Sequence, residues 1–62
     1  MDKESLLIAV NMMTRNDIIV TLESVSIQCY DHETTEELRE ALRQNVLDGT
    51  VTELNLSESE GE

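Results

Sequence analysis

Sixty-two residues make one domain at most, and a chain of this length buries only roughly 60% of the surface its unfolded form exposes, so its core is small and its stability marginal. Apolar residues are 39% of the chain and Tyr30 is the single aromatic, which leaves Leu, Ile, Val and Met to build that core. Fourteen Asp and Glu against four Lys and Arg give a formal charge of −10, which repels nucleic-acid phosphates, keeps a small protein soluble and favours the approach of a basic protein surface.

The first predicted element is a helix near residues 4–12. Leu6, Leu7, Val10 and Met13 recur at helical spacing, and Asp2 and Glu4 sit where a helix start favours acids. Ile8 and Met12 fall off that stripe, so the apolar face is wide enough to be packed on both sides or to touch a partner. Adjacent Met12 and Met13 are ordinary core fillers, and also residues suited to an adaptable contact surface.

The middle segment, Thr14 to Ile27, has two readings. Ile18, Ile19, Val20, Thr21, Val25 and Ile27 are β-branched, and Val25, Ile27 and Cys29 alternate with Ser26 and Gln28 as one strand face would. Against this, Thr14 with Asp17 resembles a capping box, and Ile18, Ile19, Leu22 and Val25 share a helix face that leaves Val20 outside. A hairpin would also have to turn at Leu22-Glu23-Ser24, which has none of the residues a tight turn favours. The helix, near residues 14–27, is preferred; the alternative is an α+β domain with a short hairpin at 18–30.

The third helix, near residues 34–48, opens on Thr34 with Glu37 three residues on. It buries Leu38, Ala41, Leu42 and Val46 and stops at Gly49. Beyond it, Thr52, Leu54 and Leu56 alternate weakly, as an extended segment lying across the helices would. Residues 57–62 read as a disordered acidic tail, which places one small helical domain over residues 1–56.

Two capped segments joined by "QCYDHE" resemble the helix–extended-loop–helix modules of the SAP, LEM, HeH and Rho N-terminal type. The likeness spans about residues 14–46. Ile18 and Leu22 stand at the first helix's packing positions, Ile27 where that helix ends, Tyr30 where a large side chain anchors the link, and Leu38 and Leu42 in the second helix. Two departures qualify what it implies. Ser26 replaces a common Gly at the helix exit, and the link and second-helix start carry Asp31, His32, Glu33, Glu36 and Glu37 where nucleic-acid-binding members carry Lys or Arg. The resemblance thus implies a binding module, and the charges imply that a protein is bound, as in the LEM branch.

Catalysis needs a nucleophile, a base within reach and an orienting group. Cys29, Asp31 and His32 offer those types, but neighbours on an extended stretch point in different directions. Lone Cys29 permits no internal disulfide and fits a reducing cytoplasm; with His32 as the one histidine, a zinc site would need carboxylates. The acids lack calcium-loop spacing, and no run resembles a signal peptide or approaches a membrane span.

The expectation is therefore an all-α, three-helix cytoplasmic domain that is not an enzyme and uses no cofactor or metal. It would bind a protein with a basic surface through Asp31, His32, Glu33, Glu36, Glu37 and Glu40. Size and charge suit an accessory or regulatory factor, for example a phage-encoded modulator of a host enzyme or a nucleic-acid mimic. Two alternatives are nucleic-acid binding through Lys3, Arg15, Arg39 and Arg43 on one face, and a structural homo-oligomer or particle component.

Overall fold

In the computed structural model, which describes residues 2–58 and the side chains of residues 2–56, the chain folds as a small all-α domain. Its elements are α1 (Lys3–Asn11), α2 (Arg15–Ser24), α3 (Thr35–Leu47) and α4 (Glu53–Glu58). The middle segment is a helix, and no strand occurs among the described residues, so the hairpin at 18–30 does not form.

Each of the first three helices starts on a side-chain cap, which satisfies a backbone N–H that the helix itself leaves without a partner. The Asp2 carboxylate accepts from the Ser5 N–H at 3.0 Å, and the Thr14 hydroxyl from the Asp17 N–H at 3.3 Å. At α3 the box closes in both directions: Glu37 N–H donates to Thr34 Oγ1 at 3.1 Å and Thr34 N–H to Glu37 Oε1 at 2.9 Å. Asp17, one methylene shorter than Glu37, makes only the first half.

The core is Leu6, Val10, Ile18, Leu22, Leu38, Leu42, Val46 and Val51. Leu7, Met13, Ile19, Val25 and Ala41 pack partly buried against it, while Ile8, Met12 and Val20, the residues off the predicted stripes, are exposed. Helix α3 is the central element and packs against both α1 and α2. Thr21 is buried among these apolar side chains, and its hydroxyl avoids an unsatisfied state by donating to the Asp17 carbonyl at 2.9 Å.

Helix α2 ends at Ser24, three residues before the expected Ile27. Ser26 takes a positive φ of 68°, and its N–H and that of Ile27 donate back to Glu23 and Leu22 carbonyls at 3.0 Å, the pattern of a Schellman exit. Residues 27–30 then run without helix, and Ile27 and Cys29 turn to the core while Gln28 and Tyr30 face outward. The two-residue alternation is thus real, but it belongs to the link and not to a strand.

The segment after α3 also differs from expectation. Gly49 turns the chain at φ 90°, Val51 is buried, and residues 53–58 coil into α4 instead of extending. Asn55 drives this locally, because its side-chain oxygen accepts from both the Thr52 N–H at 2.8 Å and the Thr52 hydroxyl at 3.3 Å. Thr52 and Leu54 are exposed, so their alternation marked no buried face; Leu56 is half-buried. Of the predicted acidic tail at 57–62, residues 57–58 form the last part of α4 and residues 59–62 lie outside the described residues.

A left-handed Ser costs more than a Gly there, so Ser26→Gly is expected to stabilise the fold by about 0.5–1 kcal/mol, and Gly49→Ala to destabilise it by about 1 kcal/mol. Urea unfolding measures both. Unchanged or lowered stability for Ser26→Gly would mean that α2 does not leave through a left-handed residue.

Candidate functional site

The expected contact residues lie on the link and the first two turns of α3, and the structure gives most of them internal work. Glu33 closes the link: Tyr30 N–H donates to Glu33 Oε1 at 2.9 Å and Glu33 N–H to the Tyr30 carbonyl at 3.1 Å. Glu37 belongs to the α3 capping box. His32 stacks on Tyr30 with ring centroids 5.8 Å apart, and Asp31 offers its carbonyl to Arg15 Nη2 at 3.4 Å. Helical register places Glu36 and Glu40 on one face, one turn apart, where they pair with Arg39 at 2.8 Å and Arg43 at 2.7 Å.

All of these carboxylates except that of half-buried Glu33 belong to exposed residues. Gln44 and Arg43 donate to Glu40 and hold its carboxyl below the usual carboxylate range. The same occurs at Asp2, which receives the Ser5 N–H, and at Asp48, which receives the Thr50 N–H. These three groups therefore keep their negative charge to lower pH than a free carboxylate does. Cys29 is half-buried, and desolvation, reinforced by Glu23 and Glu33, pushes its thiol up, which opposes thiolate formation.

The four basic side chains, the candidate phosphate-binding set, each donate to an acceptor within the chain. Lys3 Nζ, at the start of α1, donates to the Leu47 carbonyl at the end of α3 at 2.8 Å. Arg39, on α3, reaches the end of α1, donating through Nη2 to Met13 at 3.0 Å and through Nε to Val10 at 3.4 Å. Arg43 donates to Asn11 Oδ1 at 2.7 Å, and Arg15 ties α2 to the link. None of α1, α2 or α3 has a basic residue in its own last turn. For α1 and α3, the neighbouring helix supplies the cation that the negative helix end attracts.

Sequence spacing gave no sign of this clamp, because Lys3 and Leu47 are 44 positions apart and Arg39 and Val10 are 29 apart. Among the described residues no group of three or more His, Cys, Asp or Glu side chains is placed to hold a metal ion, and no helix is long and apolar enough to cross a membrane. No family profile, curated protein or solved structure matches this chain.

The Arg39 side chain is only 12% exposed and bonds two carbonyls, so Arg39→Ala is expected to cost about 2–3 kcal/mol. Arg43→Ala, at a more open site, should cost less than about 1 kcal/mol. Thermal and urea melts of the two variants decide the ranking; equal losses would mean that Arg39 does not brace α1.

Proposed function

We propose that this protein is a non-enzymatic protein-binding factor that meets a basic partner surface through the acidic face formed by the link and the start of α3. One observation carries the reading: all four cations donate to acceptors of the same chain, while Asp31, Glu36 and Glu40 stand exposed. Lys3, Arg15, Arg39 and Arg43 all donate to acceptors of the same chain, so a phosphate ligand would have to compete with helix-bracing contacts. Asp31, Glu36 and Glu40 are accessible without breaking a capping bond, and His32 lies beside them in the link.

An extended link between α2 and α3 is also what the likeness to SAP and LEM modules implies, and that likeness supports a binding role in which protein replaces nucleic acid. A regulatory factor that covers a basic groove, including a phage-encoded modulator or a nucleic-acid mimic, is the finer form of the same proposal. Long-range attraction would speed the encounter and weaken with salt.

The test must remove charge without removing caps, which excludes Glu37 and Glu33. Asp31→Asn, Glu36→Gln and Glu40→Gln together keep side-chain size and leave one acceptor oxygen each for Arg39 and Arg43, giving up only the Gln44 contact to the second oxygen of Glu40. Affinity capture from the native cell lysate, read by mass spectrometry, should retain a basic protein on the wild type and lose it on the triple variant. Filter binding at low salt with single- and double-stranded DNA and RNA should be negative. Capture unchanged by the variant, or micromolar nucleic-acid affinity that falls steeply with salt, would reject the proposal.

A further inference from the structure

A second surface lies at the opposite end of α3. The Gly49 turn brings Val51 back into the core and leaves an apolar groove of about 470 Å³ between the start of α1, the end of α3 and the approach to α4. Leu6, Val46 and Val51 form its floor, and Lys3 and Glu53 stand at its rim. Leu54 is its lip and remains 74% exposed. That volume lies in the range of pockets that accept a bound group of several heavy atoms, here one or two aliphatic side chains.

The charge around the groove narrows what could fill it. Glu53 lines it, Asp2 and Glu4 flank Lys3 in the chain, and Asp48 precedes Gly49. Lys3, the cation among the groove's lining residues, already directs its ammonium to the Leu47 carbonyl at 2.8 Å. A second copy of this chain would bring another ten negative charges to a rim that is itself acidic. Residues 59–62 of this chain, Ser-Glu-Gly-Glu, have no apolar side chain to insert.

We propose that this groove docks the apolar side chains of a basic amphipathic helix from another protein, with Leu54 closing over the anchor and Asp2, Glu4, Asp48 and Glu53 facing its Lys and Arg residues. The inference takes from the proposed function only the sign of the partner's charge. The contact differs in kind, since a dry anchor supplies affinity while carboxylates supply encounter rate and orientation. A helix presenting Leu, Ile or Met at positions i and i+3 or i+4 between cationic residues fits both requirements.

The test uses two synthetic helical peptides titrated into the ¹⁵N-labelled full chain: one with Leu at i, i+3 and i+7 among Lys residues, and one with those Leu changed to Ser. Amide shifts should centre on Leu6, Val46 and Val51–Leu54 for the first peptide and be absent there for the second. Leu54→Glu, at an exposed position that the fold does not depend on, should weaken the leucine peptide about tenfold or more, with the α-helical circular dichroism unchanged.

Equal binding of the two peptides, or full affinity in Leu54→Glu, would overturn the groove. Shifts confined to residues 31–40 would also overturn it while leaving the acidic-face reading intact, whereas no binding of either peptide anywhere would count against both.

Discussion

The fold depends on a reciprocal clamp between two antiparallel helices. Near each crossing point a cation from one helix meets the carbonyl end of the other, Lys3 on Leu47 and Arg39 on Val10 and Met13. A helix end leaves carbonyls without partners and carries a partial negative charge. With eight buried apolar side chains among the described residues, the core is small, and satisfying those ends matters correspondingly more. The two contacts differ in strength, because Lys3 is exposed and Arg39 is mostly covered. Most of the energy therefore sits at the Arg39 end, where a planar guanidinium serves two carbonyls and Glu36 at once.

This clamp also sets the outer electrostatics. A chain with four cations could have spread them over its surface to dilute fourteen carboxylates. Instead each donates to an acceptor of the same chain, and each of the first three helices carries an acid in its first turn. Fold stability and surface charge are therefore linked, because the four cations that brace the fold are the same ones set against fourteen carboxylates. Charge that assists a partner's approach opposes compaction by self-repulsion, and internal use of the cations offsets part of that cost.

Local rules were legible in the chain wherever a residue answered to its near neighbours. Thr34 with Glu37 fixed the start of α3, Gly49 its end, and the apolar stripes separated buried Leu6, Val10, Ile18 and Leu22 from exposed Ile8, Met12 and Val20. Failures came where the signal was mixed or distant. Ile27 and Cys29 alternate as a strand would because an unpaired link lying on a core obeys the same two-residue period. Ser26 conceals the α2 exit, since Ser is not the residue normally associated with a left-handed turn. Val51 and α4 were missed because Asn55 organises that turn through one side-chain oxygen.

The candidate site was legible as a set of acidic positions but not as a division of labour. Glu37 could be recognised as a cap, whereas Glu33 closes the link only after the turn at 30–33 exists. The pairing of all four cations with acceptors elsewhere in the chain required the tertiary fold. The most direct measurement is therefore the side-chain ¹⁵N spectrum of Arg39. Separate, slowly exchanging Nη resonances with cross-peaks to Met13 that persist in molar salt are predicted; a single averaged resonance like that of free arginine would contradict the clamp.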